Sequence, residues 1–326
     1  MIITKTPFRV SLFGGGTDLP KYYSSFGGAT LSFTIRRHMY ITIHPRFNDG
    51  FRISYSQVED VKNIAEINHT IARASLEMLE VDFPLEISSI AEIPSYGSGL
   101  GSSSAYTVGL INAIETYKGT QLTPVRLAEL ATHVEIDLCN EPIGKQDQYA
   151  AAIGGGNFLE YNQNGSVTVT NLNHEIDTIN QLFGRFLLLY TGVTRSASKQ
   201  LIKQQKNMND SAEVLDAFHQ IKDMAYQGLD LFRQGDLDAI GTLLDKTWHF
   251  KRKFDSNITN SRFELAYEIA KKNGALGGKI LGAGGGGFFL FYAPPECHED
   301  ISSSLPYFKQ VDIQFEPSGS SVILEN

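Results

Sequence analysis

The hydrophobic positions in the first half of the chain occur mainly in short runs, which predict β-strands. These runs are rich in Val, Ile, Phe, Thr and Tyr and are bounded by Gly, Pro and Asn. They predict strands at 7–13, 29–35, 39–45, 51–55, 84–90, 156–161 and 166–170. Longer periodic stretches predict helices at 60–80, for about a dozen residues after a Gly/Ser loop at 95–104, from 123 to about 140, and at 146–153.

The pattern changes past about residue 175, where helical periodicity dominates. A strand at 186–190 precedes helices predicted at 196–206, 211–234, 236–252 and 261–273. A wholly apolar strand at 288–292, a helix at 295–304 and a strand at 309–315 complete the chain. Because strands and helices mix without regular βα alternation, the pattern favours an α+β fold over a doubly wound sheet.

Length and composition predict the number of domains and exclude several classes of protein. A chain of 326 residues favours two domains, and we place the boundary in the polar stretch 171–184, giving domains at 1–175 and 176–326. The net charge of −8 disfavours non-specific nucleic-acid binding, and no apolar run reaches the about 18 residues of a membrane span. No signal peptide is expected at the start. The two cysteines, Cys139 and Cys297, are isolated in sequence, which predicts neither a disulfide scaffold nor a structural zinc site. We therefore expect a protein of the reducing cytoplasm.

A glycine- and serine-rich loop before the second predicted helix is the most informative stretch. Its glycines allow close approach of a ligand to the main chain, and its N–H groups and the following helix start can bind an anion. The residues that we expect to contact a phosphate chain are Gly97, Ser98, Gly99, Leu100, Gly101, Ser102, Ser103 and Ser104. The loop lacks the lysine of a P-loop and the third glycine of a dinucleotide fingerprint.

Two more glycine motifs lie at 9–19 and 279–288, on either side of this loop in sequence. Together, in this order and spacing, the three motifs resemble those of the GHMP superfamily of small-molecule kinases. The resemblance implies an α+β fold of two domains, with a mixed N-terminal sheet with helices and a ferredoxin-like C-terminal domain. It also implies ATP as the phosphoryl donor, wrapped by the loop at 97–104, and places Ser103 on a magnesium ion.

The chemistry of phosphoryl transfer requires a base and charge neutralisation beside this loop. The segment 141–148 resembles the family's G-x-x-D-Q segment, which implies Asp147 as the base and Arg9 as a neighbouring catalytic cation. Glu135 lies twelve residues earlier, at the family spacing for the carboxylate that binds Mg²⁺. Glu141 is a competing carboxylate for the metal, although a loop acid before proline is more often exposed.

The acceptor is predicted to be a sugar or sugar phosphate. Where galactokinases have Glu and His, this chain has Gly15 and Gly16, which disfavours galactose; Thr17 and Asp18 follow. Segments 14–20 and 141–150 resemble the D-glycero-D-manno-heptose 7-phosphate kinases, which implies phosphorylation of the anomeric hydroxyl to a 1,7-bisphosphate. Further residues expected at the substrate are Gly284 and Gly285. Cations that would meet its phosphate are Lys145 and Arg195, with Lys21, Arg36 and Arg37 as further candidates and 191–196 as a second anion loop.

Other interpretations of the same sequence remain open. The chain could be another GHMP sugar-1-kinase such as a fucokinase, or a non-catalytic sugar sensor on the same fold. A Rossmann dehydrogenase is a third class and would bind a nicotinamide cofactor. The long helices at 196–252 leave a homodimer open, although amphipathic helices more often cover their own domain.

Overall fold

Two β-sheets, each covered by helices, form the fold in this computed structural model, which describes residues 1–94 and 97–325. Over the described residues, the first sheet has eight strands: β1 Ile2–Phe13, β2 Gly28–Pro45, β3 Phe51–Ser54, β4 Val58–Val61, β5 Leu85–Ala91, β6 Gly156–Tyr161, β7 Val167–Asn171 and β12 Ser321–Glu325. Its pairings are antiparallel except for β3 with β5. The predicted loop at 95–104 begins with two residues that lie outside the described ones.

The central strand β2 corrects the prediction of two strands at 29–35 and 39–45. It is one continuous element of 18 residues that pairs with β1, β5 and β6. Its register against β1 shifts between Pro7 and Phe8, which pair with His38 and Ile35. Arg36 and Arg37 therefore bulge out of the ladder at the one position where β1 offers a proline without an N–H group. The two cationic residues look like a strand end in sequence but are a bulge.

The helices of the first half cover the first sheet, and the helix at Ser102–Tyr117 is buried along most of its length. They are α1 Pro20–Phe26, α2 Thr70–Met78, α3 Ser102–Tyr117, α4 Pro124–Thr132, α5 Gln146–Ile153 and α6 Ile176–Gly184. Helix α3 packs on β1 and β2, and Thr4 Oγ1 donates a hydrogen bond to the carbonyl of Gly109 at 2.9 Å. Because α3 is fixed against the sheet in this way, its N-terminus and the loop before it have a defined position.

One helix prediction was wrong in this half, and one helix was not predicted. The helix predicted at 60–80 is shorter, since the carboxylate of Glu59 accepts the backbone N–H groups of Asn68 and His69 at 2.6 and 3.0 Å and holds that segment outside the helix. The polar stretch 171–184 contains α6, whose Ile179, Leu182 and Phe183 bury one face. Its asparagines concealed this helical spacing.

The second sheet consists, over the described part of the chain, of β8 Phe186–Tyr190, β9 Gly277–Ile280, β10 Phe288–Tyr292 and β11 Lys309–Val311. The helices α7 Ala197–Asp210, α8 Ala212–Gln234, α9 Leu237–Lys251 and α10 Ser261–Lys272 connect β8 to β9, and α11 His298–Ser304 connects β10 to β11. The spatial order β11-β8-β10-β9 is the βαββαβ arrangement of a ferredoxin-like unit. The predicted α+β fold class is confirmed.

The end of the chain returns to the first sheet. The strand predicted at 309–315 ends at Val311, Phe315 bridges to Ile35, and β12, which was not predicted, pairs with β1. The division into 1–175 and 176–326 stays a prediction. Among the described residues, no helix has the length and apolarity needed to cross a membrane.

Candidate functional site

The three glycine-rich turns, which lie far apart in sequence, meet at one cleft. We call them the first turn (14–16), the second turn (97–101) and the third turn (282–287). The third turn contacts the second directly: Phe288 N–H donates to the carbonyl of Ser98 at 3.2 Å, and a Cβ on Gly282 would lie 2.6 Å from Cα of Gly99. The second turn meets β1, since Arg9 N–H donates to the carbonyl of Leu100 at 3.1 Å.

The cleft between these turns has a volume of about 310 Å³. Gly15 and Gly16 of the first turn lie on one side, and the N-terminus of α3 lies on another. All the predicted phosphate-loop residues line it except Leu100, whose side chain is fully buried. Gly101, at the N-cap position of α3, has no side chain that could bond to the first N–H groups of the helix. The helix dipole and these N–H groups therefore point at the cleft, which suits a phosphate.

Arg9 and Asp147 form a paired cation and carboxylate at the cleft. Arg9 Nε donates to Asp147 Oδ1 and Nη2 donates to Oδ2, both at 2.8 Å, and Nη1 donates to the carbonyl of Gly99 at 2.6 Å. The side chain of Arg9 is 4% exposed and that of Asp147 is 27% exposed. The buried arginine therefore fixes the orientation of the carboxylate while Asp147 stays accessible to a molecule in the cleft.

Glu135 lies behind the serines that open α3. It is fully buried, and its carboxylate accepts hydrogen bonds from Ser103 Oγ at 2.6 Å, Ser104 Oγ at 2.7 Å and Gln148 Nε2 at 2.6 Å. Burial raises the pKa of Glu135, the three hydrogen bonds oppose that effect, and the charge of Asp147 adds to it. The backbone around Glu135 is a π-helical segment, His133–Leu138, at the end of α4. Such bulges are frequent at functional sites, and the apolar periodicity of the sequence did not predict this one.

Ser103 at the cleft wall and Glu135 directly behind it carry oxygens of the kind that Mg²⁺ binds, but Glu135 is fully buried and does not itself line the cleft. Mg²⁺ takes few protein oxygens and completes its shell with phosphate oxygens and water, and Ser103 is the exposed member of this pair at the cleft wall. The competing carboxylate, Glu141, also lines the cleft and accepts a hydrogen bond from Ser198 Oγ at 2.6 Å. Within the described residues, no group of three or more His, Cys, Asp or Glu side chains forms a metal cluster.

Asp18 connects the first turn to the start of α5. Its Oδ1 accepts the N–H of Gly16 at 2.9 Å, and its Oδ2 accepts the N–H of Gln146 at 3.3 Å. The pKa of Asp18 is raised by burial and then by the charge of Asp147. Asp18 thus ties the first turn to the start of α5, next to Asp147. The role predicted for Asp18, holding sugar hydroxyls, stays a prediction.

Two lysines of the cleft were not given a role from the sequence. Lys251, the last residue of α9, and Lys279 on β9 are 4% and 3% exposed and both line the cleft. Lys279 Nζ donates to the carbonyl of Leu12 at 3.0 Å. Lys251 ends an amphipathic helix and was indistinguishable from a solvated residue; Lys279 begins the third motif and could have been considered.

Several predicted substrate residues do not line the cleft. Thr17 Oγ1 bonds to the carbonyls of Gly14 and Ala29 and stabilises the first turn from behind. Lys145 Nζ donates to Gly165 O at 2.5 Å, and Arg195 Nε donates to Gly285 O at 2.8 Å. Gly284 and Gly285 pack against the segment 255–258 and against Gln200. The other proposed phosphate cations, Lys21, Arg36 and Arg37, also lie outside the cleft.

Alanine at Gly282 tests the contact between the second and third turns. Gly282 has a φ of +68°, and its Cβ would meet the backbone of Gly99. Gly119 has a φ of +79° with no described atom within 4 Å of its Cβ, so Gly119→Ala is a matched control for backbone strain alone. We expect Gly119→Ala to cost about 1 kcal/mol of unfolding free energy and Gly282→Ala about 2 kcal/mol more, measured by urea denaturation. Equal losses would contradict the contact.

Both halves of the chain are similar to known proteins. A family model described as the GHMP kinases N terminal domain matches residues 63–155, and one described as GHMP kinases C terminal matches residues 229–303. The chain is similar to the D-glycero-alpha-D-manno-heptose 7-phosphate kinase of Campylobacter jejuni, with 32% identity over 316 residues and 93% of each chain covered.

Solved structures share the fold over nearly the whole chain. A crystal structure of a D-glycero-D-manno-heptose 1-phosphate kinase from Bacteroides thetaiotaomicron has a TM-score of 0.82 and 24% identity, covering 100% of both chains. A putative sugar kinase from Campylobacter jejuni has a TM-score of 0.78 and 28% identity, covering 98% of this chain and 97% of its own.

Proposed function

The chain belongs to the GHMP kinases, and from that premise we propose that it phosphorylates the anomeric hydroxyl of D-glycero-D-manno-heptose 7-phosphate to give the 1,7-bisphosphate. Members of this family are ATP-dependent phosphotransferases with an alcohol group as acceptor. The choice of acceptor rests on the relative from Campylobacter jejuni and on the shape and charge of the cleft.

The observation that carries the proposal is the position of Asp147. Its carboxylate faces the cleft beside Gly101, at the mouth of the serine-rich helix α3, and is oriented by two hydrogen bonds from Arg9. In this position Asp147 would accept the proton of the sugar hydroxyl as that oxygen bonds to the γ-phosphorus and the bond to the bridging oxygen of ADP breaks. Arg9 keeps the carboxylate aligned and adds positive charge next to the transferred group.

The triphosphate is proposed to lie along the second turn and the start of α3. Backbone N–H groups there and the hydroxyls of Ser102, Ser103 and Ser104 would hold its oxygens. Ser103 and Glu135 would hold Mg²⁺, which, when bound, neutralises charge on the phosphate oxygens. Glu135 is kept in place by Ser104 and Gln148, so its orientation does not depend on the metal alone.

The acceptor is proposed to lie between the first turn and Asp147. Gly15 and Gly16 present main chain without side chains at the cleft wall, and Asp18 bonds this turn to the start of α5. Thr17, Gly284 and Gly285 act on the acceptor only through the turns that they stabilise.

A substrate screen tests the proposal. We expect magnesium-dependent ADP release with D-glycero-D-manno-heptose 7-phosphate, and a kcat/KM at least about 100-fold above those for L-fucose, galactose and the unphosphorylated heptose, because a missing charged contact costs several kcal/mol. A coupled ADP assay and phosphorus NMR of the product measure this. Equal turnover of fucose would favour a fucokinase, and sugar binding without ADP release would favour a sensor.

A further inference from the structure

Lys251 is a buried cation at the cleft wall that forms no salt bridge among the described residues, although the charge of Asp18 acts on it. Its Nζ lies 3.4 Å from the carbonyl of Gly15 and 4.7 Å from the ring centroid of Phe254. The Phe254 ring stacks on Phe218 at 3.7 Å, which fixes the apolar wall under the ammonium group. A buried ammonium group that is held this loosely is costly unless a ligand supplies the missing charge.

The surrounding charges act on this cost in opposite directions. Burial lowers the pKa of Lys251 to about 8, with Asp18 opposing the shift. The pKa of Lys279 is lowered well below its ordinary value by burial and then by the charges of Lys251 and Arg9. Three cations therefore converge on one cleft, in which the carboxylate of Asp147 is already bonded to Arg9. Such a group of cations suits more than one phosphate.

Two further polar atoms near Lys251 are buried without a hydrogen-bond partner. Ser11 Oγ and Gln146 Oε1 both belong to residues that line the cleft, and these residues are 3% and 5% exposed. A Cβ on Gly15 would lie 3.4 Å from Ser11 Oγ, and Gln146 N–H is bonded to Asp18. Unpaired buried polar atoms are rare in native proteins, and here they lie around the first turn, where they can bond to sugar hydroxyls.

The contacts of Arg9 and Lys251 place these two cations at different turns of the cleft. Arg9 contacts the second turn through Gly99, on the side of the phosphate loop, whereas Lys251 contacts the first turn through Gly15. The charge of Asp147 raises the pKa of Asp18, and the charge of Asp18 acts in turn on Lys251. Lys251 thus contacts the first turn, where we propose that the acceptor lies.

We propose that Lys251 binds the phosphate ester that the acceptor already carries, and that Ser11 and Gln146 bond to hydroxyls of the same sugar. This inference rests on the proposed function and deepens it. It replaces Lys145 and Arg195, whose charged groups bond to backbone carbonyls outside the cleft, as the cations that select a sugar phosphate. Lys251 is then a specificity-determining residue that lies far from all three glycine motifs in sequence.

The test compares Lys251→Met and Lys251→Arg with the control Lys246→Met, which removes an exposed lysine from the same helix. Steady-state kinetics are measured with D-glycero-D-manno-heptose 7-phosphate, with the same heptose without phosphate, and with varied ATP. We expect Lys251→Met to raise the KM for the sugar phosphate about 30-fold or more, since a charged hydrogen bond is lost, with kcat changed less than about threefold. Its loss of kcat/KM should be at least about tenfold larger for the phosphorylated heptose than for the unphosphorylated one. Arginine should restore part of the affinity.

Each outcome decides between defined alternatives. A raised KM for ATP, or equal losses on both heptoses, would mean that Lys251 acts on the nucleotide or on the transferred phosphoryl group, and would overturn the inference while leaving the proposed function intact. If the wild type phosphorylates only uncharged sugars, the proposed function and the inference both fail. The melting temperature of Lys251→Met should not fall, because methionine fills the apolar site without the buried charge; a lower melting temperature together with losses on both acceptors also counts against the inference.

A pH profile provides a second readout that a structural role would not change. The phosphate monoester has its second pKa near about 6, so its charge is constant above neutral pH. The charged groups around Lys251 are Asp18, Lys279 and Arg9. The pKa of Lys251 is about 8, so Lys251 loses its proton at pH values above neutrality, where the charge of the phosphate no longer changes. We therefore expect kcat/KM for the sugar phosphate to fall from pH 7 to 9 in the wild type and to fall less in Lys251→Arg. Identical profiles for the two proteins would contradict the assignment.

Discussion

Replacing Asp147 by asparagine is expected to lower kcat about 10³-fold while changing the affinity for ATP less than about threefold. The asparagine has nearly the same shape, but it cannot take the proton of the acceptor hydroxyl. It also presents an amide NH₂ to one of the two guanidinium donors of Arg9, where the carboxylate accepts from both. The loss should therefore appear in turnover, measured by a coupled ADP assay, and not in ATP binding, measured by calorimetry.

The matched control for this variant is Asp137→Asn. Asp137 is exposed, bonds to His133 at 2.8 Å and lies ten residues before Asp147, so its replacement should leave kcat unchanged. A parallel loss of ATP affinity in Asp147→Asn would indicate that the Arg9 pair holds the second turn in shape and that its effect on kcat is indirect. Turnover above a tenth of the wild-type value would exclude Asp147 as the base.

The turns of the cleft could be predicted from sequence because each of them depends on local chain chemistry. Glycine at 99 and 282 is required where two backbones touch, and the serines at 102–104 begin a helix whose length follows from its apolar residues. The pairing of Arg9 with Asp147 followed only from the family resemblance, since 138 residues separate the two and no spacing rule connects them.

Other parts of the cleft depend on packing that the sequence does not reveal. Lys251 ends a helix whose pattern gives no sign of a buried charge, and it reaches the cleft because α9 packs on the second sheet and directs its last turn at Gly15. The cations proposed for the phosphate were chosen by their nearness to motifs in sequence, and Lys145 and Arg195 instead tie loops together. The π-helical turn at Glu135 and the return of β12 to β1 are likewise consequences of tertiary contacts that outweigh local propensity.

Glutamine at position 135 is expected to raise the Mg²⁺ concentration for half-maximal turnover by more than about tenfold and to lower kcat at saturating metal about 100-fold, as loss of a ligand carboxylate does elsewhere. The fold should tolerate the change. The amide oxygen can accept from Ser104 and Gln148 as the carboxylate does, and the amide NH₂ can donate to Ser103 Oγ, because a hydroxyl can rotate to accept.

The pKa shift of Glu135 gives the sign of the stability effect. A carboxyl whose pKa is raised on folding favours the folded state below its unfolded pKa, and that contribution is lost as the pH rises through the folded pKa. At neutral pH the buried charge therefore opposes folding in the metal-free protein, so Glu135→Gln should melt no lower than the wild type. Mn²⁺ titration followed by electron paramagnetic resonance, in the presence of a non-hydrolysable ATP analogue, measures metal affinity independently of turnover. Glu141→Gln is the matched comparison: if it weakens Mn²⁺ binding and Glu135→Gln does not, the metal carboxylate is Glu141, which reaches the cleft from the loop before α5.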